Sequence, residues 1–295
     1  MPSEQNWKAV DISFLGAGSV GSALATALKN RGYNIVGISS KSKTSARNLA
    51  KKIQTKFYEH PNELIANSDV TFIAVPDDAL NELIQACDWK PGHIIIHTSG
   101  AIVPSTNNNS LIIGNFHPLQ TFIDGSILPK GTSFAIEANN EELLLSLTNL
   151  AENLDGKAIK LPNELRPLYH LSAVLASNYL VTLLALSAQI WESFGYKSQQ
   201  GLDALLPLVQ ETIHNIGVHG VNKALTGPIS RGDIGTISKH LETLEQKADN
   251  ILPLYCEFAK HTVGVAKANG SISEETAEQI MVLLEVNQNR GGPSI

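Results

Sequence analysis

Cysteine is nearly missing from the 295 residues: Cys87 and Cys256 stand far apart and in no metal-type spacing, so neither a disulfide framework nor a zinc site is indicated. A surplus of basic charge is missing too. At a net charge of -6 the chain has no electrostatic footprint for nucleic acid, which calls for a basic face. Met1 to Lys8 lacks the basic-then-apolar run of a secretory signal, so the cytoplasm is the expected compartment. No repeat of solenoid period and no sustained heptad occurs. What is present is globular: 43% hydrophobic against 17% charged residues, in a chain long enough for one large domain or two. Small-molecule chemistry follows as the functional expectation.

The most informative stretch is Gly16-Ala17-Gly18-Ser19-Val20-Gly21. A short apolar run, Asp11 to Leu15, precedes it, and Ser22 to Asn30 carries apolar residues at helical spacing, stopped by Arg31-Gly32. In that context each glycine has a task. Gly16 turns the chain sharply, Gly18 has no Cβ to hold a pyrophosphate away, and Gly21 lets the helix pack closely on the strand. Free N–H groups at Ser19 and Val20 then face the phosphates.

The second strand, Asn34 to Ile38, lacks the Asp or Glu that an NAD-preferring site places at its end to accept from the ribose hydroxyls. Ser39, Ser40, Lys41, Ser42 and Lys43 stand there instead, with Arg47 a turn further on. Hydroxyls and cations suit a 2′-phosphate, so NADP is the expected cofactor. Val70 to Val75 reads as a buried parallel strand whose end borders the cofactor crevice, making Val75 and Pro76 ribose or nicotinamide-side contacts and Asp77 and Asp78 helix caps.

His93 to His97 is a further buried strand, with His97 expected to bond a neighbouring carbonyl. The small residues Ser99 and Gly100 after it would let a nicotinamide ring approach the backbone. Asn107 to Ser110 marks a loop, and Leu111 to Phe116 resumes the sheet. His117, at that strand's end and fixed by Pro118, is the best single catalytic candidate. Thr132 to Ile136, a helix over Glu141 to Leu154 and a short strand over Lys157 to Lys160 complete the sheet.

The reading divides there: residues 1–161 form a dinucleotide-binding Rossmann domain, and residues 162–295 an all-α domain for substrate and dimerisation. Helical patterns run over Leu165 to Phe194, Ser198 to Ile216, Ile234 to Lys267 with interruptions, and Ser273 to Asn287, before a loose tail from Gln288. Leu171 to Trp191 has no charged residue and is long enough to span a bilayer, at ~20 residues. Its polar load, Ser172, Ser177, Asn178, Tyr179, Thr182, Ser187 and Gln189, opposes insertion. The expectation is therefore no membrane but a helix buried in protein on most sides, with a two-fold homodimer through this domain covering the remaining apolar surface.

The glycine turn, Ser39-Ser40-Lys41, Ala74 to Asp77 and the long uncharged helix together resemble the superfamily of 6-phosphogluconate, ketopantoate and pyrroline-carboxylate reductases. More narrowly, Phe116 to Gln120, Leu168 to His170 running to Ala176 to Tyr179, and Leu225 to Pro228 with Arg231 to Asp233 resemble a family of NADP-binding Rossmann-like proteins with a helical C-terminal domain of unknown function. The resemblance covers nearly the whole chain and implies the fold and NADP, but no substrate. The wider superfamily carries an acid–base lysine four residues before an asparagine. With Asn178 as that asparagine the position is Val174, which has no proton to exchange.

His170 and Ser177 lie close to two helical turns apart, with Asn178 at the edge of their face. His170 could exchange the proton and Asn178 orient the substrate, or Ser177 and Asn178 could satisfy each other inside a helical interface. Arg231 and Asp233, near Thr226 and a Gly-Pro turn, read equally as a locking ion pair or an anion site.

The leading expectation is an NADP(H)-dependent oxidoreductase acting on a small carbonyl, imine or hydroxy compound, with His117, His170 and Asn178 catalytic and no metal. Gly16, Gly18, Ser19, Val20, Gly21, Ser39, Ser40, Lys41, Val75, Pro76, Ser99 and Gly100 would hold the cofactor. Alternatives are a prephenate-dehydrogenase-like enzyme, against which Leu119-Gln120-Thr121 stands, and a non-catalytic NADP(H)-binding redox sensor.

Overall fold

Short strands rich in Ile, Val and Phe, most followed by an amphipathic helix, build an eight-stranded sheet in the computed structural model, which describes residues 7–104 and 110–288. The loop residues Asn107 to Asn109 and the tail beyond Gln288 lie outside the described residues. The strands are β1 (Ile12–Leu15), β2 (Ile35–Ser39), β3 (Lys56–Phe57), β4 (Val70–Ile73), β5 (Ile94–His97), β6 (Ile112–Leu119), β7 (Ser133–Ala138) and β8 (Lys157–Lys160). Their order is β3-β2-β1-β4-β5-β6-β7-β8, parallel except for the antiparallel β6/β7 pair. The chain winds outward from β1 in one direction and restarts at β4 in the other. That switch point lies where the carboxyl ends of β1 and β4 diverge, the usual crevice of such sheets.

Five helices join the strands: α1 (Ser19–Asn30), α2 (Lys43–Lys52), α3 (Pro61–Ala66), α4 (Asp77–Ala86) and α5 (Glu141–Asn153). Every residue of β1, β4 and β5 is buried, as parallel strands covered on both faces require. Phe14 stacks on Phe72 at 5.0 Å and Phe116 on Phe134 at 4.4 Å, which ties β1 to β4 and β6 to β7 through the core.

After Lys160 the described chain is helical: α6 (Arg166–Ala173), a π-helical turn over Val174–Asn178, α7 (Tyr179–Gln189), α8 (Ser198–Ala224), α9 (Ile234–Lys247), α10 (Leu252–Ala268) and α11 (Glu274–Gln288). The chain forms two compact units, Met1–Ser177 and Asn178–Ile295. In the second, Ile237, Leu241, Cys256, Val263, Ile280 and Leu284 make a core shared by α9, α10 and α11.

Three local expectations need correction. His117 is not at a strand end: β6 continues through it to Leu119, because the antiparallel ladder with β7 (His117 opposite Ala135, Pro118 opposite Phe134) outruns the parallel ladder with β5, which stops at Asn115. Pro118 is tolerated there because that side of the strand has lost its partner. Asp77 and Asp78 do not cap α4; Pro76 holds the N-cap position, and the two acids lie in the first turn, where they complement the helix dipole. Finally, the segment after Leu171 is not buried on most sides. Leu171, Leu175, Tyr179 and Val181 are 48%, 55%, 52% and 67% exposed. Apolar residues occupy its whole circumference, and α7 has only α8 packed closely along it within its unit. By length and composition alone, the 32 residues Asn163–Phe194 suffice to cross a membrane.

Candidate functional site

The glycine turn joins β1 to α1 at the switch point. Gly16 adopts φ +107, and a Cβ there would meet the Ala74 carbonyl oxygen at 2.0 Å; one on Gly21 would meet the Gly16 oxygen at 2.5 Å. Both positions are sterically closed to side chains. Gly18 is the opposite case, with nothing within 4 Å of its would-be Cβ. It also holds the N-cap position of α1 without a side-chain cap, so the N–H groups of Ser19, Val20 and Gly21 precede the first intrahelical donor, Ser22. Three unmet donors over open space at a helix start fit a pyrophosphate. The Ser19 hydroxyl donates to Asp124 Oδ1 at 3.0 Å.

Beside this turn lies a cavity of ≈ 460 Å³ lined by Gly16, Ser39, Ser40, Lys41, Glu59 and Val75. Lys43 is engaged by Glu59, whose carboxyl that contact holds below its ordinary range. Arg47 lies over the Phe57 ring, 4.9 Å from its centroid. Lys41, with no carboxylate partner among the described residues, is thus the cation left available at the end of β2, next to the half-buried Ser40. Glu59 in this lining was not foreseen, because the sequence around β3 and α3 shows no strong pattern.

A second cluster forms where β5 and β6 end. His97 is buried, and its Nδ1 accepts from the Asn115 amide at 3.1 Å rather than bonding a carbonyl. The same amide donates to the Ser99 oxygen at 2.7 Å, and the Ser99 hydroxyl accepts from the Ile102 N–H at 2.9 Å. Burial pushes His97 down to about 3, with Arg166 and His117 adding to the effect. A Cβ on Gly100 would sit 2.7 Å from His117 Nε2. The space left by that glycine is therefore the seat of the His117 ring.

His117 Nδ1 and the Tyr169 hydroxyl, brought together from β6 and α6, form a 2.8 Å hydrogen bond. Burial, seconded by His170 and Arg166, pushes His117 down to about 4, and burial pushes Tyr169 up to about 12 against the pull of Arg166. Both are neutral near pH 7, so one proton occupies the line between them: Tyr169 donates to a bare Nδ1, or Nδ1–H donates and the phenol proton points elsewhere.

His170 is exposed on α6. The π turn changes the expected geometry, since a wider turn over Val174–Asn178 breaks the two-turn spacing between His170 and Ser177. Asn178 is exposed and opens the second unit, its backbone carbonyl accepting from Thr182 Oγ1 at 3.4 Å. Arg231 and Asp233 form no ion pair; Asp233 instead caps α9, accepting from the Thr236 N–H at 3.0 Å and its hydroxyl at 2.7 Å. No group of three or more His, Cys, Asp or Glu suited to a metal occurs among the described residues.

The sheet order, the switch point and the sterically closed glycine turn define a Rossmann-type α/β protein with a helical C-terminal region. Residues 11–100 match the family described as NADP oxidoreductase coenzyme F420-dependent, and residues 132–262 match a domain of unknown function, DUF2520. A Bacteroides fragilis protein described as an NADP oxidoreductase is 26% identical, with a TM-score of 0.69 over 95% of this chain and 98% of its own. The Thermotoga maritima protein TM1727 is also 26% identical, with a TM-score of 0.69 over 87% of this chain and 98% of its own. Pyrroline-5-carboxylate reductase from Streptococcus pyogenes, at 15% identity and a TM-score of 0.59 over 92% of this chain and 98% of its own, shares the fold. No curated protein matches the chain. The chain is thus similar to NADP oxidoreductases over residues 11–100 by family model, and to the Bacteroides fragilis protein along most of its length.

Proposed function

We propose that the protein is an NADP(H)-dependent oxidoreductase for a small carbonyl, imine or hydroxy compound, acting in the cytoplasm, with His117 and Tyr169 as its proton-transfer pair. The observation that carries this reading is the 2.8 Å bond between them, set beside the ends of β5 and β6. The N–H groups of Ser19, Val20 and Gly21 would hold the pyrophosphate, and Ser40 and Lys41 the 2′-phosphate. When bound, the nicotinamide supplies or accepts a hydride. Tyr169 gives its proton to a carbonyl oxygen or imine nitrogen, and His117 Nδ1–H fixes the phenol oxygen while this happens. The nearby Arg166 cation stabilises the phenolate that results. Tyr169 would take the acid–base role that Val174 cannot fill.

Fluorescence titration is expected to give at least tenfold tighter binding of NADPH than of NADH, with Lys41→Ala removing the preference. Substrate-dependent NADPH loss across carbonyl and imine panels, and NADPH formation from NADP+ across hydroxy acids and prephenate, should disappear in Tyr169→Phe and His117→Ala. Binding of neither nucleotide would overturn the reading. Tight NADPH binding without turnover on any panel would favour a sensor instead.

We further infer a homodimer through the helical unit. On α7 and α8, Val181, Leu208, Ile213, Val218 and Val221 are 67%, 63%, 54%, 59% and 58% exposed. A contiguous apolar patch beyond a few hundred Å² marks an interface. Asp203, Glu211 and Lys223 interrupt the α8 surface, which favours a second protein copy over lipid.

A further inference from the structure

Arg166 opens α6 with none of its surface exposed. Its Nε donates to Asn163 Oδ1 at 3.0 Å, but Nη1 and Nη2 have no partner. A buried guanidinium whose terminal nitrogens meet no protein acceptor is costly unless another group accepts from them. Its position adds to the cost, since the N-terminal end of a helix already carries partial positive charge.

The nearby carboxylate does not fill the gap. Glu137 on β7 acts on Arg166 electrostatically without forming an ion pair, and Asn163, which accepts from Arg166 Nε, also lowers the Glu137 carboxyl against its burial. The charge is balanced at a distance while Nη1 and Nη2 keep no protein acceptor. Arg166 and Tyr169 are three residues apart on α6, which puts them on one face with Cβ atoms about 5–6 Å apart. Asn115, opposite Glu137 in the β6/β7 register, leaves its own buried Oδ1 unpartnered.

We propose that Nη1 and Nη2 of Arg166 bind the carboxylate of a small 2-oxo or 2-imino acid, or of its reduced form, whose carbonyl or imine group then meets the Tyr169–His117 pair. This rests on the oxidoreductase reading above and names its substrate class. A planar two-nitrogen fork matches a carboxylate in bidentate geometry. Full enclosure favours a compact monoanion over a bulky or doubly charged phosphate ester, whose dehydration one cation would not offset. The short span between Arg166 and Tyr169 fits an acid with its reacting group on the adjacent carbon.

Calorimetric titration of oxamate, with oxamide as the uncharged control, tests this on the intact protein with and without NADP+. Wild type should bind oxamate at least tenfold tighter than oxamide. Arg166→Gln should erase that difference, and Glu137→Gln, which removes the competing negative charge, should tighten oxamate at least threefold. NADP+ affinity should be unchanged in both. Equal oxamate binding by wild type and folded Arg166→Gln, or no oxamate binding by wild type, would overturn the proposal. Should Arg166→Gln fail to fold, Glu137→Gln decides it: no tightening rejects the fork as the site. Loss of NADP+ binding in wild type would strike the oxidoreductase reading alone, because oxamate on the nucleotide-free protein still reports on Arg166.

Discussion

Strands β1, β4 and β5 bury every residue they contain, whereas α7 buries only Ala188 of its 11 residues and α8 only Gly201 of its 27. Both regions are apolar, yet the sheet faces are covered by helices of the same unit and the α7–α8 pair is not. Composition therefore states how much surface must leave water but not which chain supplies the cover. The closed region should respond to change by losing its fold, the open one by losing its partner.

The greatest loss is expected at Gly16. Alanine there combines a left-handed φ with a 2.0 Å approach to the Ala74 oxygen, a backbone atom that cannot move aside. Gly16→Ala should cost ~4 kcal/mol of stability in chemical denaturation, in the range reserved for strained buried sites. Gly18→Ala, in open space, should leave the denaturation midpoint within about 0.5 kcal/mol of wild type while weakening NADPH binding. Equal midpoints for the two variants would refute the steric account of the turn.

Next in size is the open face. Val181→Glu with Leu208→Glu places charge on two of the most exposed apolar positions of α7 and α8. Light scattering should show wild type as a dimer and the double variant as a monomer at micromolar concentration, a shift in dissociation constant of at least 100-fold. The circular dichroism of the variant should stay helical, since neither side chain lies in the core of its own unit. A wild-type monomer would leave the exposed apolar face without its proposed cover.

Much of the sheet unit could be read from the chain, because its determinants are local. The glycine turn, the apolar strands and the departure from an acidic β2 end each lie within a few neighbouring residues. Tyr169 was harder, since its partner His117 is 52 positions away and their 2.8 Å bond exists only after β6 and α6 are assembled. Arg166 did leave a trace: it is the last Asp, Glu, Lys or Arg before an uncharged run from Pro167 to Trp191. The π turn left none, because Val174 to Asn178 carries no proline or glycine to mark a break. The exposure of α7 escaped because periodicity reports which residues are apolar and is silent on oligomeric cover.

The smallest effect concerns protons in the closed region. His93 bonds Thr71 through Nε2 at 2.8 Å and leaves Nδ1 buried and unpartnered, and burial pushes it down to about 4; His97 is pushed down to about 3. Both imidazoles take up protons more readily in the unfolded chain, where their pKa is about 6.5. Stability is then complete above that value and falls as the pH drops through it, by up to about 1.4 kcal/mol per pH unit for each ring. Denaturation midpoints between about pH 6.5 and 5.5, above the carboxylate range, should fall with acidification, and His93→Gln should flatten the slope by close to one ring's share. A midpoint that stays level across the window would mean that the unpartnered Nδ1 of His93 accepts a proton in the folded protein, and the sheet unit would then be less tightly closed there than its burial indicates.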